Sequence, residues 1–310
     1  MTLKELYNEG KDRLNQAGIN DYQIDSFYLL EWATGISKSA YFVKESQEVT
    51  KDEKEKYLGL IDQRARRIPL QHLTGVQEFM GLPFQVTPDV LIPRQDTEIL
   101  VEIALDIIKN ETTVDNKASN KNDAKLDNTS SSSEMIYKVL DMCTGSGCIL
   151  ISILAHAKKF ATNIAGTGAD ICPFALIIAE KNSKINMVDT VLIESDLFDG
   201  INDKFQMIVA NPPYIKSGLI GQLDKEVRDY DPIKALDGGE DGLRFYEKII
   251  DKSRQHLECG GYLLFEIGHD QGLDVSKKME EYGYKGVKVI KDLANSDRVV
   301  LGRVSVVPDI

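Results

Sequence analysis

The chain is poor in the residues that usually announce special chemistry. Its 310 residues include four cysteines, four histidines, nine prolines and a single tryptophan. No two cysteines stand in a C-x-x-C pair, which excludes a disulfide scaffold and the usual zinc spacings. A reducing, intracellular compartment is therefore expected. His72, His156, His256 and His269 are scattered without ligand spacing, so no metal is expected either. Basic charge is also short, with 37 Lys and Arg against 49 Asp and Glu and a formal net charge of -12. That balance repels phosphate backbones and argues against a broad nucleic-acid footprint. No apolar run approaches the roughly 18 residues a membrane helix needs. The first ten residues are charged and polar, unlike a signal peptide. What remains is a soluble, cytoplasmic protein, with 42% hydrophobic residues and enough length for one large core or two ordinary ones.

From Leu3 to about Ile68 the apolar residues recur at helical spacing, which predicts a bundle of about four helices over residues 1–75. Leu3, Leu6 and Tyr7 form one face, and Ile24, Phe27, Tyr28 and Leu30 another, with Trp32 beyond as a packing residue. Tyr57, Leu58 and Ile61 form a third face. Asp21 and Thr50 stand where N-caps belong. Residues 76–93 change character: Val76 to Val86 reads as two short strands about a turn at Gly81, a hairpin connecting two domains. Helix returns from Thr97 to Lys109. Residues 110–135 carry almost no apolar side chains, only Asn, Asp, Lys, Thr and a serine run, and predict a disordered loop. Beyond it strand-like runs at 137–142, 164–170, 190–195, 206–210 and 262–267 alternate with helical runs, the signature of βαβ units and a parallel sheet. Two closing strands, near 287–291 and 298–304, are spaced to pair antiparallel. A doubly wound α/β sheet over residues 94–310 is the expected architecture.

The first of these strands runs through Asp141, Met142, Cys143, Thr144, Gly145, Ser146 and Gly147 straight into a helix. Gly145 and Gly147 let a ligand approach the backbone at a helix N-terminus. A dinucleotide fingerprint would want a third glycine three residues after Gly147, where Leu150 stands, and this disfavours a pyrophosphate ligand. Asp170 ends the next strand, where an acid can accept from both ribose hydroxyls. Asp196 follows the third strand, where it can accept from an adenine amino group. One acid at each strand end suits a nucleoside without phosphate, and S-adenosylmethionine is such a ligand. Asp141 stands near its cationic end.

The segment Asn211-Pro212-Pro213-Tyr214 follows a buried strand, at the carboxyl end where open α/β sheets bind ligands. Adjacent prolines stiffen the backbone and fix the nearby carbonyls. The Asn211 side-chain oxygen and the Pro212 carbonyl can accept both hydrogens of a planar –NH₂ group, with the Tyr214 ring stacked on its face. Held so, the nitrogen lone pair faces the cofactor methyl, and positive charge on nitrogen is stabilised during in-line attack. These residues predict N-methylation of a planar amino group. They leave open a glutamine or asparagine amide, an adenine or a cytosine.

Longer segments narrow the choice. Arg66 to Gly75, Glu78 to Phe84, Leu91 to Glu98, Ala210 to Ile215, Asp237 to Tyr246 and Phe265 to Gln271 together resemble the protein glutamine-N5 methyltransferases that modify peptide chain release factors. The Asn-Pro-Pro-Tyr piece is shared with DNA amino methyltransferases, whereas Ile-Pro-Arg at 92–94 and Gly-Gly-Glu-Asp-Gly-Leu at 238–243 are more restrictive. The resemblance implies a class I S-adenosylmethionine-dependent methyltransferase, with a mostly parallel seven-stranded sheet behind a small helical domain. It implies methylation of the glutamine in the Gly-Gly-Gln loop of a class 1 release factor, yielding S-adenosylhomocysteine, with the helical domain gripping another face of that factor. Glutamine methylation of a ribosomal protein is the alternative, and amino methylation of nucleic acid a weaker one. By family position Cys143 to Gly147, Asp170, Asp196, Leu197 and Asn211 contact the cofactor. Asn211 to Tyr214 hold the substrate amide, with Asn211, Pro212 and Tyr214 as the catalytic set. Cys143 stands where a glycine is usual, Gln95 and Asp96 replace Pro-Glu, and Asp231 replaces a glutamate. A monomer without direct contact to nucleic acid or membrane is expected.

Overall fold

The computed structural model describes residues 1–122, 136–161 and 163–305. In chain order the helices are α1 Leu3–Gln16, α2 Tyr22–Thr34, α3 Lys38–Lys44, α4 Lys51–Ala65, α5 Leu70–Thr74, α6 Glu98–Asn122, α7 Cys148–Ala157, α8 Pro173–Ile185, α9 Lys225–Tyr230, α10 Ile233–Leu236, α11 Arg244–His256 and α12 Gly272–Glu281. The strands are β1 Val76–Phe79, β2 Leu82–Gln85, β3 Tyr137–Met142, β4 Ile164–Asp170, β5 Val191–Glu194, β6 Phe205–Ala210, β7 Ile215–Lys216, β8 Asp237–Gly239, β9 Leu257–Glu266, β10 Lys285–Lys291 and β11 Asp297–Arg303. They form two compact units, one of residues 1–76 with 222–231, the other of 77–221 with 232–310.

The helical unit starts cleanly because its N-termini are capped. Thr2 with Glu5, and Thr50 with Glu53, form reciprocal capping boxes on α1 and α4, each cap contributing about 1 kcal/mol. Its core gathers Leu3, Leu6, Leu14, Leu29, Leu30, Tyr57 and Ile61. On α2 the buried face is not the aromatic one. Asp25, Ser26, Leu29, Leu30 and Ala33 point inward, while Ile24, Tyr28 and Trp32 are 57%, 56% and 47% exposed. Trp32 is thus a surface residue, contrary to the expectation. The cause is an ion pair: Arg64 Nε donates to Asp25 Oδ2 at 2.6 Å, and that buried pair turns the helix. Arg64 also meets Glu226 at 2.9 Å. The segment 222–231 therefore joins this unit although it lies far along the sequence, which no local pattern reveals.

The larger unit holds a seven-stranded sheet in the order β10-β11-β9-β6-β3-β4-β5. Strands β9, β6, β3, β4 and β5 run parallel, and β11 is antiparallel to both β9 and β10. Side chains alternate between two cores, as a sheet covered on both faces requires. Val139, Met207, Val209 and Leu264 pack with α6 and α7; Leu140, Ile208, Leu263 and Phe265 pack with α11 and α12. The expected hairpin is present as β1 and β2. It is no mere connection, because Phe79 and Phe84 are buried in the first of these cores. Helix α6 runs on to Asn122, into the segment expected to be a loop. Residues 110–122 are polar but hold no glycine or proline, so nothing breaks the helix once it has started. Tyr137 Oη donates to Glu111 Oε2 at 3.2 Å on that extension. The rest of the expected loop, 123–135, lies outside the described residues. Among those described, no helix is long and apolar enough to cross a membrane.

Candidate active site

Strand order reverses between β3 and β6: from β3 the chain moves to β4 and β5, while β6 lies on the other side. Met142 and Ala210, the last residues of the two strands, are register partners. Their carboxyl ends therefore open a crevice where α/β sheets bind ligands. A cavity of 380 Å³ lies there, lined among others by Cys143, Thr144, Gly145, Ser146, Asp170, Asp196, Leu197, Asn211 and Pro213. Nine of the expected site residues thus share one wall. Asp141, Gly147, Pro212 and Tyr214 are not among its lining residues.

Gly147 serves the wall by packing. Its φ is +78°, and a Cβ there would meet Ile151 Cδ1 at 2.9 Å and Ala179 Cβ at 3.1 Å, so the loop could not close onto α7. Cys143 also has a left-handed backbone, φ +62°, which explains why a glycine is the more comfortable residue there. Burial raises its thiol far above the ordinary range, so the thiol is inert.

Asp141 organises the loop from below. It is 0% exposed, and its Oδ2 accepts from the Thr144 hydroxyl at 2.6 Å and the Leu150 amide at 3.3 Å. Its Oδ1 has no hydrogen-bond partner among the described residues. Burial pushes the carboxyl up to about 7, against the pull of those two bonds, and the charge acting on it is another carboxylate, Asp170. Asp170 itself is raised by burial, while its Oδ2 accepts from Gly145 N at 2.8 Å and its Oδ1 from Cys172 N at 2.9 Å. The Ile171 amide acts on the carboxylate as well, so of its four acceptor sites one stays open for a hydroxyl donor from a ligand. Two desolvated carboxyls beside a glycine loop, one with an orphaned oxygen, fit a cationic ligand that carries hydroxyls and no phosphate. Among the described residues, no group of three or more His, Cys, Asp or Glu is arranged to hold a metal ion.

The Asn211–Tyr214 turn is braced from behind. Strand β7 pairs with β8. Gln271 Nε2 donates to the Tyr214 carbonyl at 3.0 Å and to that of Gly242 at 3.2 Å. Gly242 has φ +77°, and a Cβ there would run into the Tyr214 carbonyl oxygen. The segments 237–243 and 265–271 are thus the scaffold of the turn. Tyr214 differs from the expectation: its hydroxyl is turned to Glu266 Oε1 at 3.5 Å, and its ring does not line the cavity. Two buried residues outside the expected site set stand beside the turn. Thr97, 2% exposed, lines the cavity and accepts from Asn211 Nδ2 at 3.4 Å. Glu266, also 2% exposed, ends β9. Their sequence signals were the neighbouring Ile-Pro-Arg and Phe-Glu-Ile-Gly segments, legible as motifs but not as roles.

Comparison with known proteins agrees with this architecture. The PrmC N-terminal domain model matches residues 5–75 and the methyltransferase small domain model matches 125–224. A release factor glutamine methyltransferase of Clostridium botulinum is 40% identical over 308 residues, 98% of this chain and 99% of that one. The chain belongs to the release factor glutamine methyltransferase family. The protein of that name from Clostridium acetobutylicum is 35% identical over 97% of this chain and 98% of its own. Among solved structures, the hMettl16 catalytic domain, in complex with the MAT2A 3′UTR hairpin 6, has a TM-score of 0.53 at 15% identity, covering 81% of this chain and 83% of that one. At that distance the likeness concerns the fold alone.

Proposed function

We propose that this chain transfers the methyl group of S-adenosyl-L-methionine to the side-chain amide nitrogen of the glutamine in the Gly-Gly-Gln loop of class 1 peptide chain release factors, in the cytoplasm. The observation that carries the reading is the tether on Asn211. Its amide nitrogen is engaged by Thr97, so its oxygen is the end left to accept a substrate N–H at the cavity wall. S-adenosyl-L-methionine supplies an electrophilic sulfonium methyl. Asp170 would accept from a ribose hydroxyl, Asp196 from the adenine amino group, and Cys143 to Gly147 would border the methionine portion above the Asp141 carboxylate. Asn211 Oδ1 and the Pro212 carbonyl would take both hydrogens of the glutamine amide. An amide nitrogen is a poor nucleophile, and two fixed acceptors favour the positive charge that builds on it in the transition state. The proton can leave after transfer, so no strong base need stand within reach. Asn211, Pro212 and Tyr214 form the catalytic turn. The exposed Ile24, Tyr28 and Trp32 stripe is an apolar surface on which the helical unit could hold the factor. The family relatives over full length favour a release factor over a ribosomal protein or nucleic acid.

The test is mass spectrometry of a purified class 1 release factor incubated with this protein and S-adenosyl-L-methionine, beside the same factor with its loop glutamine changed to alanine. A gain of one methyl group in the first sample alone is expected; gain in both, or in neither while the cofactor binds, overturns the assignment. Asn211→Ala should reduce turnover by about 10²–10³-fold, as loss of a preorganised transition-state partner does, with the fold intact. Unchanged turnover would remove the two-acceptor mechanism.

A further inference from the structure

A cavity whose walls must be ordered at the moment of binding loses affinity to that ordering, so a group that fixes the walls beforehand contributes to affinity. Here two walls come from distant parts of the sequence. One is the glycine loop, with Thr144, Gly145 and Ser146 on the cavity; the other is the segment that leaves β2, with Val90, Leu91 and Arg94. Both are tied to one side chain on α8. Asn182 is 0% exposed and is not itself among the lining residues. Its Nδ2 donates to the Ser146 carbonyl at 2.9 Å and to the Gln85 carbonyl at 3.0 Å, while its Oδ1 accepts from Gln85 N at 2.6 Å. Both hydrogens of the carboxamide are thus used, and only this orientation matches donors to acceptors.

The two ties differ in kind. Toward Gln85 the carboxamide both gives and takes, as a residue of a neighbouring strand would, and so fixes the end of β2. Toward the loop it holds a carbonyl just ahead of α7, whose ladder starts with Ile151 N donating to Gly147 O at 2.9 Å. Apolar packing surrounds the clamp. A Cβ on Gly147 would meet Ala179 Cβ of α8 at 3.1 Å, and Val86 and Val90 share a small core with Ala175 and Ile178 of the same helix. Removing the carboxamide would leave buried backbone groups on both walls unpaired. One turn further on, Asn186 supplies an internal comparison. Its Nδ2 donates to the Pro83 carbonyl at 3.0 Å and to that of Asn182 at 3.0 Å. It too ties α8 to the hairpin, but its bonds end there and not on the glycine loop.

We propose that Asn182 is a positioning residue of the cofactor site: it clamps the glycine loop to the hairpin segment, so that both walls stand in their binding shape before S-adenosyl-L-methionine arrives. The inference rests on the proposed cofactor and deepens it by naming what preorganises its site. Asn182 touches no reacting atom and acts through Ser146 and Gln85. Its loss should therefore appear in cofactor binding and not in the transfer step. Coupling between sites is reciprocal, so cofactor bound against the loop should in turn steady Gln85, which is not a lining residue.

The test compares wild type with Asn182→Asp, Asn182→Ala and Asn186→Ala, with cofactor affinity measured by calorimetry and the mass-spectrometric assay above run as a time course. Aspartate keeps the shape and the bond from Gln85 N but removes both donors; alanine removes the clamp. We expect affinity for S-adenosyl-L-methionine to fall about tenfold in both Asn182 variants, the worth of a lost buried hydrogen bond, with KM for the cofactor rising alongside. At saturating cofactor kcat should stay within about threefold, and Asn186→Ala should bind within about twofold of wild type. Hydrogen exchange adds a reading that needs no variant. The Gln85 amide of wild type should exchange about tenfold more slowly with S-adenosyl-L-methionine bound, a larger change than in the amides of the helical unit. If both Asn182 variants fail to fold, that exchange decides alone. Unchanged affinity in folded Asn182 variants, kcat falling while affinity holds, an equal loss in Asn186→Ala, or a Gln85 amide indifferent to the cofactor would each overturn the proposal. Failure of the wild type to bind S-adenosyl-L-methionine overturns the proposed cofactor instead, so the two failures are distinguishable.

Discussion

Each unit of this chain buries carboxylates, and it treats them in opposite ways. In the helical unit Asp25 is 5% exposed and is met by an equally buried guanidinium, Arg64, at 2.6 Å. Burial raises its pKa while the hydrogen bond and charge of Arg64 oppose the rise. In the larger unit Asp141 and Glu266 are buried as deeply, each with an oxygen that has no hydrogen-bond partner among the described residues. Neither forms an ion pair among the described residues, and both are pushed up to about 7. A paired buried charge specifies a structure, whereas unpaired ones leave free energy to be recovered when a cation or a donor arrives. The contrast separates the part of the molecule that is finished on folding from the part that is completed by its substrates.

The largest effect should come from breaking the pair that is complete. Arg64→Met leaves Asp25 buried without its cation and should cost about 3–5 kcal/mol in chemical unfolding. Asp25→Asn in the same chain should recover a good part of that, since both charges are then gone and the volume is kept. Cofactor affinity should not change, because neither residue lines the cavity. A double variant as unstable as the single one would mean that the pair is not an electrostatic unit and that the comparison between the two units is false.

Asp141 offers the opposite experiment, in which removing a charge should relieve the fold. Its carboxyl rises from an ordinary 3.8 to about 7, so the folded chain holds this proton more tightly than the unfolded one. The resulting stability is present in full below the unfolded pKa and is lost as pH rises through about 7. Between pH 5 and 8 the loss is on the order of 3 kcal/mol. Asp141→Asn keeps an oxygen for Thr144 and Leu150 and should lack this slope. Urea unfolding of both proteins at the two pH values measures it, and equal slopes would show that Asp141 is charged in the fold throughout.

How far the sequence revealed this depends on whether a role is local. Strands β3, β4 and β6 and helix α8 were legible because buried parallel strands are continuous apolar runs and their neighbours are periodic. The glycine loop and the Asn211–Tyr214 turn were legible because each is a contiguous string whose residue types restrict the chemistry. What stayed hidden was coupling across the chain. Thr97 and Glu266 lie 169 positions apart and come near one another only when the start of α6 is laid against β9. The 222–231 segment joins the helical unit through Glu226, one acid among 49 Asp and Glu. The exposed stripe of α2 was misread because aromatic periodicity marks a face without saying whether it points inward. There a buried polar pair, Asp25 and Arg64, outweighed hydrophobicity in setting the rotation.

The smallest effect concerns strain and sharpens the comparison at a single backbone position. Cys143 holds φ +62° at the end of β3, a conformation that costs a residue with a Cβ roughly 1–2 kcal/mol. Its side chain also packs against the core that contains Leu140 and Met142, which repays part of that cost. Cys143→Ala removes the sulfur contact and keeps the strain; Cys143→Gly removes both. The glycine variant should therefore be more stable than the alanine one by about 1 kcal/mol, although alanine is the better residue at an ordinary backbone position. If alanine is the more stable, the loop relaxes out of the left-handed region in the variants. The strain at the cavity wall would then be imposed by the cysteine itself rather than by the turn that Thr144, Asp141 and Asp170 hold in place.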